Sequence, residues 1–80
     1  MKKVKLQYFA ILRDHRGEST ETLETEANSA GELYEELKAK YSFPLSVDRI
    51  QVAINEEFAG MDQEIQENDE IVFIPPVAGG

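Results

Sequence analysis

Only one stretch of this chain carries the period of a helix. Leu33, Leu37 and Tyr41 fall at i, i+4 and i+8 with Tyr34 alongside, while Glu35, Glu36, Lys38 and Lys40 take the opposite side. That spacing spells one amphipathic helix of about three turns. Its start is marked by Ser29-Ala30-Gly31-Glu32, a capping box. The Ser29 hydroxyl can accept from the Glu32 N–H, and the Glu32 side chain can reach back to the Ser29 N–H. Pro44 halts the helix. The remaining regular segments alternate with a period of two. Residues 3–11 set Val4, Leu6, Tyr8 and Ala10 on one face and Lys5, Gln7, Phe9 and Ile11 on the other. Residues 18–26 are threonine-rich and alternate weakly, Ile50, Val52 and Ile54 alternate again, and residues 71–74 close the series. Polar segments at 13–17 (RDHRG), 55–57 and 67–69 read as turns, with a short piece at Phe58 between the last two.

The resulting order is β-β-α-β-(short piece)-β. A hairpin, then a helix, then further strands cannot form a simple meander. The crossover helix instead lets the last strand lie parallel to the first, giving a mixed sheet with one main helix packed on one face. This is an α+β, β-grasp (ubiquitin-like) layout. One helix covers one sheet face, so the other is left to water or a partner. On that face the pattern puts Lys5, Gln7 and Phe9 on the first strand and Val72 and Ile74 on the last, with Phe58 near the same end. Phe9 and Ile74 on adjacent strands of an open face predict an apolar patch of the kind that marks a protein–protein surface.

Eighty residues make one domain that buries only about 60% of its unfolded surface, which leaves little room for a deep catalytic cavity. Sixteen acidic residues against eight basic give a net charge of −8, which opposes phosphate backbones and anionic membranes. Nucleic acid and membrane are therefore not expected partners. With no cysteine and one histidine, His15, the chain offers no thiol nucleophile, no thiolate metal site and no histidine cluster, and His15 itself reads as a surface residue. No metal or other cofactor is expected on the chain. Phosphate-binding and nucleophile-elbow motifs are also missing. Acidic pairs such as Glu56 and Glu57 read as solvated turn residues. The N-terminal segment passes directly into a strand pattern with no signal-peptide apolar region, so a cytoplasmic protein is expected.

The last ten residues, IVFIPPVAGG, carry no charged side chain. A body of residues 1–74 and an extended tail of residues 75–80 are expected. Pro75 and Pro76 cannot continue a sheet ladder and stiffen the exit, Val77 and Ala78 are small, and Gly79 and Gly80 have no side chain. At roughly 3.3 Å per residue the tail spans about 20 Å. Such an arm suits a narrow channel in another protein, because the prolines reduce the entropy lost on insertion and the glycines allow close approach.

With these features in place, the chain closely resembles the small-subunit family of molybdopterin synthase, ubiquitin-like sulfur carriers. The resemblance runs through YFAILRDHRG, the capped helix, VAINEEF, NDEIVFI and above all the closing PPVAGG. It implies a sulfur carrier in molybdenum cofactor biosynthesis, the sulfur-donating subunit of a sulfurtransferase. Gly80 is the catalytic terminus: its carboxylate is adenylated with ATP by a partner adenylyltransferase related to ubiquitin-activating enzymes. A sulfur donor system then converts it to a thiocarboxylate. The tail, Pro75 to Gly80, inserts into the large subunit, where the sulfur passes to cyclic pyranopterin monophosphate within a heterotetramer. By position Phe9, Arg13, Phe58 and Ile74 match the subunit interface, with Phe58 and Ile74 standing where Leu and Phe are commoner. Alternatives with the same tail are a carrier for thiamine synthesis, tRNA thiolation or cysteine synthesis, a ubiquitin-like modifier of lysines, and an interaction module with an inert tail.

Overall fold

The computed structural model describes residues 1–76, apart from the side chains of Ile11 and His15. The chain runs β1 (Lys2–Tyr8), α1 (Ala10–Arg16), β2 (Thr20–Thr25), α2 (Ala30–Tyr41), a 3-10 turn (Val47–Arg49), β3 (Gln51–Ile54), β4 (Glu57–Ala59) and β5 (Glu70–Ile74). The strands form one sheet in the order β2-β1-β5-β3-β4. The β1–β5 pair is parallel, in register Leu6↔Ile71 and Tyr8↔Phe73, and its neighbours are antiparallel. A parallel pair needs a crossover, and α2 supplies the helix for it. The expected β-grasp architecture is the one observed.

Three local readings differ from the structure. Residues 13–17, expected as a turn, lie in and just after α1, and the first strand stops at Tyr8 rather than residue 11. Ala10, expected on the buried face, is exposed and opens the helix in a left-handed conformation, φ 53°. The cause is an i, i+4 pair: Leu12 is fully buried and Arg16 bonds back to the body, while Gly17 at φ 91° closes the helix through its N–H to the Arg13 carbonyl. The short piece at Phe58 is a true strand. It is joined to β3 by a two-residue turn, Asn55-Glu56, with both φ values positive at 53° and 73°, the geometry that matches hairpin twist.

The long helix is capped as expected on one side of the box. Ser29 Oγ accepts from the Glu32 N–H at 3.2 Å, and only this half forms. The other two free N–H groups of the first turn are taken by the loop before β5: Ala30 donates to the Gln63 carbonyl at 3.1 Å and Gly31 to the Met61 carbonyl at 2.7 Å. A Cβ on Gly31 would stand 3.1 Å from that Met61 oxygen, so this close approach favours glycine. At the other end Ser42 takes the left-handed conformation, φ 58°, and donates its N–H to the Lys38 carbonyl.

The core lies between α2 and one face of the sheet. Val4, Leu6, Tyr8, Val52, Ile71 and Phe73 from the strands meet Ala30, Leu33, Tyr34 and Leu37 from α2. Phe43 completes an aromatic group with Tyr34, Tyr8 and Tyr41, at ring-centroid distances of 5.9, 5.8 and 5.8 Å. At its edge sits a polar cluster that the sequence pattern did not indicate. Arg16 donates from Nε and Nη2 to the two Glu21 oxygens, both at 3.1 Å. Tyr8 and Tyr41 each donate a hydroxyl to the same carboxylate at 2.8 Å. The guanidinium also lies 4.6 Å above the centre of the Tyr41 ring. Burial pushes the Glu21 carboxyl up, but the bonds from Arg16, Tyr41 and Tyr8 outweigh it and hold the group below the ordinary carboxylate range. Burial first, and then the bond to Glu21, raise the Tyr8 phenol far above its ordinary value. Glu21 therefore ties β1, β2, α1 and α2 together.

Because the folded carboxyl is depressed, its stabilisation is complete above the unfolded carboxyl range, about pH 4.5, and fades as pH falls through the folded value. Glu21→Gln, which cannot accept from all these donors, is expected to cost about 2–3 kcal/mol and roughly 10–20 °C of melting temperature at neutral pH. Thermal unfolding followed by circular dichroism should show the gap between wild type and variant narrowing below about pH 4.5. A gap constant from neutral to strongly acid pH would mean that the carboxylate charge is not what holds the cluster.

Candidate functional site

The face of the sheet opposite α2 is set by alternation. With Ile71 and Phe73 fully buried, Val72 and Ile74 point away from the core, as expected. Register then builds rows across the sheet. Phe58 pairs with Ala53, Ala53 with Val72, and Val72 with Gln7. One row on, Gln51 pairs with Ile74, and carrying the β1–β5 register one residue past Tyr8↔Phe73 sets Phe9 beside Ile74. Phe9 keeps an extended backbone, φ −123° and ψ 153°, as the residue before α1. The open face thus divides into two parts. Over β2 and β1 it is polar, with Lys5, Gln7, Thr20, Thr22 and Glu70 around a shallow depression. Over β5, β3 and β4 it is mainly apolar, with Val72, Ile74, Ala53 and Phe58, interrupted by the exposed Gln51, and with Phe9 at the adjoining end.

The structure brings three of the four expected interface residues onto this face. Phe58 is the most exposed of them at 75%, Phe9 is 42% exposed, and Ile74 is half-buried between them. Large aromatic rings held in water are the informative members, since isolated exposed aliphatics are common. Arg13 sits on α1, one turn beyond Phe9, with its side chain exposed and its Nε 4.0 Å from Asp14 Oδ1. A pair so open to solvent adds little stability, which leaves the guanidinium available to another molecule.

The chain leaves the sheet at this apolar end. After Ile74 the strand ladder stops, Pro75 is buried against the body and Pro76 is exposed. Of the expected tail residues, Val77, Ala78, Gly79 and Gly80 lie outside the described residues. Because β1 and β5 are parallel, the start of α1 and the exit of β5 share one end of the sheet. Phe9, Arg13 and Ile74 therefore gather where Pro75 and Pro76 begin.

Chemically this face offers exposed apolar surface. Among the described residues no cluster of three or more histidine, cysteine or carboxylate side chains is placed to hold a metal. Of the described groups with displaced protonation, Tyr8, Arg16, Glu21 and Tyr34 belong to the helix-covered side, with Tyr34 pushed up to about 12 by burial and by Glu35, and Asp48, lowered by its bond from Ser46, lies in the 3-10 turn. No helix among the described residues is long and apolar enough to cross a membrane. The residues that sequence reasoning missed are Arg16 and Glu21. The signal for the first was present, because Leu12, Arg16 and then Gly17 form a short helix with its terminating glycine. The Arg16–Glu21 pairing carried no such signal, since it depends on how the hairpin folds back.

Comparison with known proteins follows the same outline. The family model described as ThiS family matches residues 6–80. The molybdopterin synthase sulfur carrier subunit of Mycobacterium tuberculosis is 35% identical over 85 aligned positions covering 100% of both chains. The protein of the same name from Haemophilus influenzae is 32% identical, covering 91% of this chain and 94% of its own. Among solved structures, a Pyrococcus furiosus protein described as molybdopterin converting factor subunit 1 superposes with a TM-score of 0.76 at 29% identity, covering 96% of this chain and 100% of the other.

An exposed binding residue should be dispensable to the fold. Phe58→Ser is expected to change stability by no more than about 0.5 kcal/mol, a shift of about 4 °C or less in melting temperature. Phe73→Ala, from the opposite face of the same sheet, should cost about 3–5 kcal/mol. Equal losses in chemical denaturation would show that the Phe58 ring is part of the packing.

Proposed function

The chain belongs to the ThiS family, alongside the molybdopterin synthase sulfur carrier subunits, and from that premise we propose that it carries sulfur for molybdopterin synthesis. The observation that carries this reading is the 35% identity over the full length of the Mycobacterium tuberculosis carrier subunit. It is supported by an apolar open face whose strand leads directly into Pro75 and Pro76. The body binds and the tail reacts. A cysteine-free chain can still hold sulfur if the main-chain carboxylate is the site of attachment.

The chemistry assigned to Gly80 has two stages. A carboxylate is a poor electrophile, so a carboxylate oxygen first attacks the α-phosphorus of ATP on a partner adenylyltransferase, and pyrophosphate leaves. A hydrosulfide-equivalent from the sulfur donor then attacks the acyl carbon of the adenylate and AMP leaves, giving a thiocarboxylate. In the large subunit the thiocarboxylate sulfur attacks an electrophilic carbon of the pyranopterin, and the oxygen substituent of that carbon departs with the C–O electron pair, as water or as a phosphate oxygen. Hydrolysis of the resulting thioester returns the Gly80 carboxylate and leaves sulfur on the pterin as a thiolate. Two such transfers build a dithiolene. The large subunit supplies the catalytic side chains, and this chain supplies the sulfur atom and the arm that delivers it, working in the cytoplasm as part of a heterotetramer.

In that assembly Phe9, Phe58 and Ile74 form the apolar centre of the contact with the large subunit and Arg13 its charged edge. Val77 and Ala78 fit the channel, and Gly79 and Gly80 allow the acyl group to reach the reacting carbon.

Intact-mass spectrometry tests the proposal. Incubation with the adenylyltransferase, ATP and a sulfur donor should add one sulfur in place of one oxygen, about 16 Da. Addition of the large subunit and pyranopterin precursor should return the original mass. Deleting Gly80 should abolish both changes while leaving the melting temperature unaltered. A chain that never gains mass would refute sulfur carriage, and a loaded chain that keeps its sulfur beside the precursor would assign it to another acceptor.

A further inference from the structure

The seven residues of α1 are too few to hold a helix by themselves, yet this segment begins just after Phe9 and carries Arg13. Among the described residues its attachments to the body are of two kinds. Leu12 is fully buried in the core. Arg16, the last helical residue, makes the two-pronged contact with Glu21 and lies over the Tyr41 ring. Both members of the pair are largely sheltered, with side-chain exposures of 21% and 12%, unlike the open Arg13–Asp14 contact at 54% and 74%. Glu21 is in turn held by hydroxyls from β1 and α2. The far end of α1 is thus fixed to a rigid, fully bonded anchor. Its near end, at Phe9, has no side-chain cap.

We propose that Arg16 and Glu21 are positioning residues for docking: they hold α1 against the sheet so that Phe9 and Arg13 stand beside Ile74 where the tail departs. The inference rests on the carrier reading above and extends it to residues that never touch the partner. Planarity matters here. A guanidinium fits a carboxylate with two parallel bonds while stacking on an aromatic ring, and a lysine ammonium does neither as well. If the anchor is cut, Leu12 still tethers the segment, but the last turn is free to move. Only the fraction of molecules with α1 in place can then dock, and apparent affinity falls by that fraction.

The test compares Arg16→Ala, Arg16→Lys and a control, Ile65→Val. Ile65 is buried and its N–H bonds to the Asn28 carbonyl, at the opposite end of α2 from Tyr41, so this variant loosens the core without touching α1. Binding to the molybdopterin synthase large subunit of the same organism is measured by calorimetry at a temperature where all variants are folded. Arg16→Ala should bind about tenfold more weakly, Arg16→Lys should recover part of the loss, and Ile65→Val should match wild type. In the free chain, amide exchange at Gly17, whose N–H closes the helix on the Arg13 carbonyl at 2.8 Å, should accelerate about tenfold in Arg16→Ala alone. Wild-type affinity in Arg16→Ala, or an equal loss in Ile65→Val, would overturn the positioning role. Unchanged Gly17 exchange in Arg16→Ala would overturn it without any partner. Failure of the wild-type chain to bind the large subunit would instead defeat the carrier reading, and the exchange result would still decide whether the anchor holds α1.

Discussion

The parallel pairing of β1 with β5 is the constraint on which the other features depend. It joins strands separated by most of the chain, with Lys5↔Glu70 at one end of the register and Tyr8↔Phe73 at the other. Non-local pairing of this kind becomes favourable only after the intervening chain has closed, and here the intervening chain contains α2, which covers the paired strands. Leu6, Tyr8, Ile71 and Phe73 are then buried on one side. By alternation Gln7, Val72 and Ile74 are delivered to the other. A slip of one residue in β5 would exchange its faces, placing Phe73 in water and Val72 in the core. The same register that makes the core therefore makes the apolar open face.

Parallel alignment has a second consequence. In an antiparallel pair the segment after β1 and the segment after β5 would leave from opposite ends. Here both leave from the same end, so Phe9, α1 and Pro75-Pro76 are neighbours. A docking surface and a departing tail can then meet one partner together, and the span between them is set by strand spacing rather than by a flexible loop. For an 80-residue chain this is an economical arrangement, because so small a core cannot also enclose a reaction cavity.

Much of this was legible in the sequence wherever period was strong. The 3.6-residue pattern of Leu33, Leu37 and Tyr41 and the Ser29 cap located α2. The alternation at Val4-Leu6-Tyr8 and Ile71-Phe73 identified the central strands and which side of each is buried. From those, the mixed sheet, the open face and the neighbouring positions of Phe9 and Ile74 followed. The misreadings came where local pattern was short or ambiguous. Residues 10–16 are too few for periodicity to separate a helix from a turn, and the apolar Ala10 looked like one more step of the strand alternation. The three residues of β4 owe their strand form to pairing with β3, which no local propensity reports. Glu21 looked like one acid among sixteen. Its importance comes from Tyr8, Arg16 and Tyr41 converging on it, a property of the folded chain alone.

That convergence also explains how the two sides of the sheet communicate. The polar cluster lies on the helix-covered side and the aromatic patch on the open side, yet Tyr8 belongs to the first and its neighbour Phe9 to the second. Glu21 holds the Tyr8 hydroxyl, so it limits movement of the last residue of β1 and, through one peptide bond, the backbone that carries Phe9. Through Arg16 it holds the other end of α1. The segment bearing Phe9 and Arg13 is thus bonded to Glu21 at its far end, and at its near end Glu21 holds the residue that precedes it. A single half-buried acid with four donors around it does what a larger protein would do with a second layer of packing: it gives a surface segment the rigidity of the core. Pre-formed surfaces lose less entropy on association, and in a domain with this little interior, bonding a short helix to one sheltered charge is a direct way to achieve that.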